Sequence, residues 1–421
     1  MKNLTQSPSF FTQIFYGLLV TLIICAEQQP ANAQNSSQKE RTGAKIVDEA
    51  LQKMRTQAVA KKWTFEVGST KVLENELKAR TGAITINVRG LNLGAMSGGS
   101  SVTPSNSYTT AQPTLQYGTP TQSHYDLRDY KLVTPVREQS ACGSCWAFGS
   151  VAVLESSLLR INPTINANTL DLSEQQILDC SPGGGCWGGW YGTVFDWAKT
   201  NQITVAEESS KPYKVMEATC SATPITKYKL ANYGRVSMRE VATVAEIKKA
   251  IVEHGAVVTA VNATNVFLAY KKGIYNENAV GQVNHAITII GWDDSKSAWL
   301  LKNSWGSDWG DNGYMWINYN SNAVGTFTYW VDAAPIGGSV TPAPTPTPKP
   351  QPTTDNNNNN NNHHNNSNNS NNNNNNNNAN NNIDDQHCRK GTKQYASQKE
   401  RWGTQRRVKP IGIRSTGIAK K

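Results

Sequence analysis

The sequence lacks a hydrophobic run long enough to cross a bilayer, because its main apolar stretch, 14–26, has about 13 residues where a helix needs roughly 20. Lys2 precedes this stretch, and an Ala-Asn-Ala tripeptide follows it at 31–33. A basic start, a short apolar segment and a small-residue site are typical of a secretory signal peptide. We therefore predict that residues 1–33 direct export and are then removed, with an uncleaved anchor as the alternative. The expected location is extracytoplasmic: secreted, at the cell surface, or in a lysosome-like compartment of a eukaryote.

Histidine and cysteine are also scarce, with six His and seven Cys among 421 residues. Cysteines of exported proteins tend to pair, because their compartment is oxidising. An odd number of cysteines leaves at least one thiol over, and such a thiol is a candidate reactive group. The five cysteines of the central segment 120–336 are Cys142, Cys145, Cys180, Cys186 and Cys220. The same segment holds three histidines, His124, His254 and His285.

Positive charge is unevenly distributed, although the whole chain has a formal net charge of +10. Residues 34–119 carry +5, residues 120–336 carry −3 and residues 383–421 carry +8. A nucleic-acid-binding fold concentrates basic residues on the folded unit itself, so this distribution argues against a specific nucleic-acid partner. The basic C-terminal tail is either a solvated segment or a tether to an anionic surface.

Composition divides the chain into five segments. Proline-rich and asparagine-rich stretches cannot bury a core, so the segment that contains them is predicted to be a disordered linker. The segments are a signal peptide (1–33), a polar basic segment with a linker (34–119), a core-forming unit (120–336), a Pro/Thr-rich then Asn-rich linker (337–382) and a basic tail (383–421).

The central segment changes its hydrophobic period half-way along. Apolar residues recur at helical spacing from Trp146 to Arg160, which predicts a helix that begins near Cys145. A helical half followed by a half of apolar and alternating strands predicts an α+β fold. The predicted strands are 256–261, 285–291, 298–303 and 313–319.

The preceding basic segment is predicted to hold one or two helices within 44–80, since Val47, Leu51 and Met54 fall at helical spacing. A strand is predicted at 84–88. The Ser, Thr, Gly and Pro residues of 95–123 favour an exposed, cleavable linker.

Cys145 is the candidate nucleophile. At a helix N-terminus the macrodipole stabilises a thiolate, so we expect a lowered pKa for this thiol. Cys142 and Cys145 are also compatible with a redox pair or with half of a zinc site, which would need a second ligand pair such as Cys180 and Cys186. A thiolate needs a proton partner, and His285 begins an apolar strand. From position alone, a histidine at the start of a strand is more often structural.

Several motifs together resemble the papain-like cysteine peptidases. Gln139–Phe148 (QSACGSCWAF) is similar to the family's active-site segment, Asn284-His285-Ala286 to its histidine motif, and 300–314 (LLKNSWGSDWGDNGY) to its asparagine motif. Matching landmarks in the same order are 125–128, 172–176 and 185–189. The resemblance covers about 120–335. It implies two subdomains, a helical left half and a β-barrel-like right half, with an active-site cleft between them.

The resemblance implies a role for each matching residue, and it implies no metal and no cofactor. Cys145 would attack the scissile carbonyl as a thiolate, and His285 would hold and return its proton. Asn303 would orient the imidazole, as the third member of a triad does. The Gln139 side chain and the Cys145 backbone N–H would form the oxyanion hole, and Trp305 would shelter the His–Asn bond. The implied disulfides are Cys142–Cys186 and Cys180–Cys220, and the third bridge of many relatives has no counterpart.

The resemblance also implies where a peptide substrate binds. The backbone of Gly188 and Gly189 would hold it as an added strand. Trp190, Tyr191, Ala260 and Ala286 would line the main specificity pocket, in which the small alanines predict room for a bulky apolar P2 side chain. The floor of that pocket lies within 325–331. No insertion follows Gly189, so an endopeptidase is favoured over an exopeptidase.

The predicted protein is therefore a monomeric protease precursor that cleaves itself near 110–124. Its partners are peptide substrates and its own inhibitory pro-region. Two other functions remain open. A transpeptidase or ligase on the same fold would use the same residues and pass the acyl group to an amine. A non-catalytic surface adhesin would use the tails for contact, although an inactive scaffold usually lacks a triad member.

Overall fold

A computed structural model of the chain describes residues 43–80, 117–221 and 228–335. The predicted signal peptide, the strand at 84–88, most of the linker before the central segment, and the C-terminal linker and tail lie outside these residues. None of the described helices combines the length and the apolar character that crossing a bilayer requires.

The helical half of the central segment is built around one long helix. Helix α3 (Cys145–Ile161) begins at Cys145 itself, and most of its side chains are buried, so it forms the centre of the core rather than a surface helix. Ser173 caps the next helix, since its side chain accepts a hydrogen bond from the Gln176 N–H. The helices are α3 (Cys145–Ile161), α4 (Glu174–Cys180) and α5 (Tyr191–Thr200), and the strands of a small hairpin are β3 (Gly184–Gly185) and β4 (Gly188–Gly189).

The second half is a large, mostly antiparallel sheet, which confirms the predicted α+β class. All four predicted strands are present, as β6 (Val257–Val261), β8 (His285–Asp293), β9 (Ala298–Lys302) and β10 (Tyr314–Asn318). The strands of the sheet in this half are β5 (Tyr228–Arg235), β6 (Val257–Val261), β7 (Tyr270–Tyr275), β8 (His285–Asp293), β9 (Ala298–Lys302), β10 (Tyr314–Asn318) and β11 (Thr326–Pro335). Strand β2 (His124–Asp126) joins β8 from the start of the central segment. The helices of this second half are α6 (Val244–His254), the short α7 (Asn265–Leu268) and a 3-10 turn (Ser321–Ala323).

Helix α3 joins the two halves by packing on the sheet. The hydroxyl of Ser156 accepts a hydrogen bond from the Ala256 N–H, and that of Ser157 accepts one from the Ala333 N–H. At Gly149 an added Cβ would lie 2.8 Å from a Val258 methyl group, so the close approach of α3 to β6 requires glycine there. This packing places the first turn of α3 beside the start of β8.

The basic segment before the central unit folds onto the sheet. Helix α1 (43–60) buries Val47, Leu51 and Met54, as their spacing predicted. Strand β1 (Thr64–Val67), which was not predicted, pairs antiparallel with β7 and places Phe65 against the Tyr275 ring, with centroids 4.4 Å apart. Helix α2 (Lys71–Arg80) follows. Among the described strands, β1 is thus the outer strand of the sheet, in the order β1-β7-β10-β9-β8-β6-β11-β5.

Candidate active site

The thiol of Cys145 lies at the junction of the two halves. Cys145 is the first residue of α3 and is fully buried, and of the cysteines within the described ranges it is the free one. Its Sγ accepts a hydrogen bond of 3.3 Å from the backbone N–H of Ala286. Because Ala286 directly follows His285 in β8, this contact places the thiol beside the first residues of that strand.

His285 and Asn303 are brought together by neighbouring strands. Strands β8 and β9 pair antiparallel with Thr288 opposite Lys302, and Asn303 is the next residue after β9. The Nε2 atom of His285 lies 2.8 Å from the Asn303 Oδ1 atom. An amide oxygen only accepts, so Nε2 carries the proton of this bond, and proton exchange with a thiol is left to Nδ1. Both side chains are buried.

Gln139 is held from both sides. Its backbone N–H donates to the Ser304 carbonyl at 2.8 Å, and its side-chain Oε1 accepts from the Ser304 hydroxyl at 2.8 Å. Its Nε2 donates to the Cys142 carbonyl at 2.9 Å, which uses one of the two protons of the amide group. Ser304 also donates its N–H to Asn303 Oδ1 at 2.9 Å. One serine therefore links the candidate oxyanion donor to the residue that orients the histidine.

Two disulfides fix the surrounding loops, and they are the pairs that the resemblance implied. Cys142 is bonded to Cys186, and Cys180 to Cys220. The Gly143 N–H also donates to the Cys186 carbonyl at 2.8 Å, next to the first bridge. Since four cysteines are used in this way, neither the redox pair nor the four-cysteine zinc site is formed. Among the residues described here, no cluster of three or more potential metal ligands is present.

Comparison with known proteins decides the family. The model of the papain family cysteine proteases matches residues 121–332, half of the chain. The chain belongs to the papain family of cysteine proteases. Macrodontain-1 of Ananas macrodontes is 35% identical over 195 residues, which cover 46% of this chain and 86% of that protein.

Two further relatives each match about half of this family member. Gamete and mating-type specific protein A of Dictyostelium discoideum is 40% identical over 199 residues, which cover 47% of this chain and 43% of that protein. Cysteine proteinase 2 of Entamoeba histolytica is 36% identical over 213 residues, which cover 48% and 65%. The match with each of them thus spans less than two thirds of the relative's length.

A solved precursor structure matches a larger share of the chain. The recombinant stem bromelain precursor superposes with a TM-score of 0.54 at 26% identity, and the match covers 70% of this chain and 92% of that one. Procathepsin L 3 of the Tenebrio molitor larval midgut gives a TM-score of 0.54 at 22% identity, which shows likeness of fold alone. The papain-like α+β fold is thereby established.

The electrostatics of the thiol in this papain-family chain differ from the prediction. Burial raises the pKa of Cys145 to about 12, although backbone N–H groups, that of Ala286 first, act in the opposite direction. The expectation that the helix N-terminus lowers this pKa is therefore wrong for the structure as it stands. The reason is that full desolvation penalises the thiolate more than the N–H groups at the helix start stabilise it. A thiolate here needs an imidazolium partner or access of water.

The predicted substrate residues lie in β4, at the start of α5, and in the paired strands β6 and β8. Gly188 and Gly189 form β4, and Ala260 is paired with Ala286 across β6 and β8. The rings of Trp190 and Tyr191 stack with centroids 4.3 Å apart. All six residues are buried. The structure thus brings the residues predicted for the pocket to the same region as the thiol.

Two residues of β11 face Trp190 and Tyr191, and the sequence did not identify them. The ring of Phe327 meets Trp190 edge-on with centroids 5.5 Å apart, and that of Tyr329 meets Tyr191 edge-on at 5.6 Å. The Tyr191 hydroxyl also donates to the Phe327 carbonyl at 2.6 Å. Both residues fall inside the range 325–331 in which the floor was expected. No residue in that range matched a motif, so only the fold could single them out.

A buried charged cluster supports the strand end that carries Asn303. The ammonium of Lys302 donates to the Thr134 hydroxyl at 2.8 Å, and that hydroxyl donates to the Glu155 carboxylate of α3 at 2.5 Å. Burial raises the pKa values of Glu155 and Glu174 and lowers that of Lys302. The cluster ties β9 to α3 next to the site, and no motif indicated it.

The Trp305 indole lies over the imidazole of His285. The two rings are stacked, with centroids 4.3 Å apart and an interplanar angle of 22°. Trp309 and Phe267 pack edge-on against the indole. The indole therefore covers one face of the histidine, which is the place that the resemblance implied for it.

Proposed function

We propose that this chain is a cysteine endopeptidase that hydrolyses peptide bonds. The observation that carries the proposal is the His285–Asn303 hydrogen bond of 2.8 Å, next to a thiol that accepts the Ala286 N–H. A buried free thiol, a base and a group that orients the base make up the arrangement that nucleophilic catalysis by cysteine requires. Membership of the papain family supports the same reaction.

The proposed reaction consists of two acyl transfers, the first to the Cys145 thiol and the second to water. His285 takes the proton of the Cys145 thiol, and the Sγ atom attacks the substrate carbonyl carbon to give a tetrahedral oxyanion. The Gln139 side-chain amide and the Cys145 backbone N–H would stabilise this oxyanion. When the C–N bond breaks, the imidazolium gives its proton to the leaving amine. Water then attacks the thioester, with His285 as general base, and releases the acid and the thiol.

We infer that the pro-region 34–119 keeps the enzyme inactive until it is cleaved. The support is the pairing of β1 with β7, together with the burial of Phe65 against the Tyr275 ring. At Gly273 an added Cβ would lie 2.6 Å from the Thr64 carbonyl oxygen, so this pairing depends on a glycine in β7. The match with a bromelain precursor over 70% of this chain also supports a zymogen. Export through a signal peptide and self-cleavage near 110–124 belong to the same proposal.

The specificity pocket is proposed to take a bulky apolar P2 side chain. Ala260 and Ala286 leave room on the sheet side, while Trp190, Tyr191 and Tyr329 offer aromatic surface. An apolar side chain gains most from such surroundings because burial there removes its surface from water. Tyr329 as the floor would limit the depth of the pocket, so a Tyr329→Ala variant should accept longer P2 side chains.

Labelling of the thiol tests the proposed activity. The processed protein is titrated with a thiol-directed epoxide, the adduct is located by mass spectrometry, and cleavage of an apolar-P2 peptide is followed under mild reduction. Single labelling at Cys145 with parallel loss of cleavage, and loss of both in Cys145→Ala, is expected. An unlabelled thiol and no cleavage would support the adhesin function instead. Transfer of the acyl group to an added amine, without acid product, would identify a ligase.

A further inference from the structure

A tyrosine far along the chain contacts both ends of the loop that carries the nucleophile. The Tyr213 hydroxyl donates to the Gln139 carbonyl at 2.9 Å and lies 2.7 Å from the Ser144 hydroxyl. Gln139 begins this loop, and Ser144 directly precedes Cys145. The two proposed oxyanion donors are the Gln139 amide and the Cys145 N–H. The Tyr213 phenol oxygen therefore contacts the first of these residues and the direct neighbour of the second.

The protons of this bridge can be assigned from the acceptors. A carbonyl only accepts, so the phenol proton goes to the Gln139 oxygen. The Ser144 hydroxyl must then donate to the phenol oxygen at 2.7 Å, in preference to the Cys142 carbonyl at 3.4 Å. Ser144 is the N-cap residue of α3, yet its side chain makes no capping hydrogen bond. Its hydroxyl serves the bridge instead of the helix end.

The loop between the two contacts has a conformation that needs such support. Ser140, which follows Gln139, has a φ of 53°, in the left-handed region that side chains other than glycine rarely adopt. Residues held in this region persist where the surrounding contacts fix them. The Tyr213 bond to the Gln139 carbonyl fixes the peptide group that enters this turn.

Tyr213 is itself held firmly. Its ring meets Phe148 of α3 edge-on, with centroids 4.9 Å apart. Its N–H donates to the Glu208 carboxylate at 2.6 Å, and the N–H of Lys214 donates to the Gln175 side chain at 2.7 Å. Burial raises the pKa of the Tyr213 phenol to about 12, so it remains a donor at neutral pH. The bridge therefore joins the loop to a fixed support.

We propose that Tyr213 is a positioning residue for the oxyanion hole, because its hydroxyl sets the distance between the Gln139 amide and the start of α3. This inference rests on the proposed peptidase activity. Tyr213 itself does not contact the substrate in this role. The effect should therefore appear in the stabilisation of the oxyanion and not in substrate binding or in the reactivity of the thiol.

The test compares Tyr213→Phe with the wild-type enzyme after processing. The variant keeps the ring against Phe148 and loses one oxygen. Because a net hydrogen bond contributes modestly, kcat should fall about fivefold while KM stays within about twofold. The inhibition constant of a peptide aldehyde, which forms a tetrahedral adduct, should rise by a similar factor. The rate of thiol alkylation by iodoacetamide, which forms no oxyanion, should not change.

Two further variants make the result decisive. Tyr233→Phe removes another buried phenol, one that donates to Asp196 outside the site, and should keep wild-type kinetics. Ser144→Ala removes the other side of the bridge and should give the same loss as Tyr213→Phe, with no addition in the double variant. It also decides the matter if Tyr213→Phe is too unstable to assay.

Wild-type kcat and aldehyde affinity in folded Tyr213→Phe would overturn the inference, as would an equal fall in the alkylation rate. In either case a wild-type enzyme that cleaves the peptide leaves the proposed function standing. A wild-type enzyme that cleaves no peptide overturns the function and the inference together.

Discussion

The indole of Trp305 stacks on the imidazole of His285, with ring centroids 4.3 Å apart. The Nε2 atom of the same imidazole is hydrogen-bonded to Asn303. This stacking covers the histidine and keeps water from competing for the hydrogen bond that orients it. A low local dielectric strengthens such a bond, so we propose that the indole supports catalysis without touching the reacting atoms.

Trp305→Ala should therefore lower kcat about fivefold with little change in KM, because the loss of one net hydrogen bond of about 1 kcal/mol affects orientation and not binding. Steady-state kinetics on an apolar-P2 peptide measure this split. Trp316→Ala, in β10 and outside the site, is the matched control for removal of an indole. A loss confined to KM would show that Trp305 binds substrate instead.

The raised pKa of the Cys145 thiol predicts how the proposed precursor and its processed form differ. With a pKa of about 12, the thiol of the precursor is neutral at pH 7, so alkylation by iodoacetamide should be slow and should increase as the pH rises above 9. If processing admits water and an imidazolium partner, alkylation should become fast at neutral pH. Equal rates at pH 7 for both forms would contradict this prediction.

The same pKa also affects stability. A thiol whose pKa is raised in the folded state favours folding below its unfolded pKa, and this contribution is lost as the pH rises from about 9 towards 12. Cys145→Ala should therefore flatten the fall in the free energy of unfolding of the precursor on the alkaline side. Urea unfolding of both proteins at pH 7 and pH 10 measures the difference.

The two disulfides should separate stability from activity. Their sequence separations of 44 and 40 residues are nearly equal, so each should stabilise the fold by about 4 kcal/mol through loop closure. Only Cys142–Cys186 anchors the loop between Gln139 and Cys145. The Cys142→Ser/Cys186→Ser variant should thus lose kcat, whereas Cys180→Ser/Cys220→Ser should lose a similar amount of stability and keep kcat. Thermal melts beside kinetics test this, and equal kinetic losses would refute it.

Phe65 should contribute more to the proposed inhibition by the pro-region than the exposed ion pair of Lys71 does. Phe65 is buried against Tyr275, whereas the Lys71–Asp308 pair of 2.6 Å is exposed on both sides. Loss of a buried Phe side chain costs about 3 kcal/mol or more, and exposed pairs are worth about 1 kcal/mol or less. Before processing, Phe65→Ala should raise the basal activity of the precursor about 100-fold and Lys71→Ala less than about fivefold. The reverse order would place the inhibitory contact elsewhere.

The sequence by itself determined the family of this protein and its candidate catalytic residues. Cys145, His285 and Asn303 each lie in a short contiguous motif, and the helix after Cys145 and the four strands of the second half follow from hydrophobic period. These features are local, since neighbouring residues in the chain define each of them. The α+β class and the family could therefore be predicted from the order of the amino acids alone.

Only the tertiary structure decided the features that join distant segments. Tyr213 lies 74 residues from Gln139, and Thr64 of β1 pairs with Ile274 of β7, yet neither contact leaves a periodic pattern or a motif. The direction of the Cys145 pKa shift depended on how completely the fold buries the thiol, which the position at a helix start does not specify. Packing brings together residues that the sequence keeps apart, and burial then sets the electrostatic balance at the site.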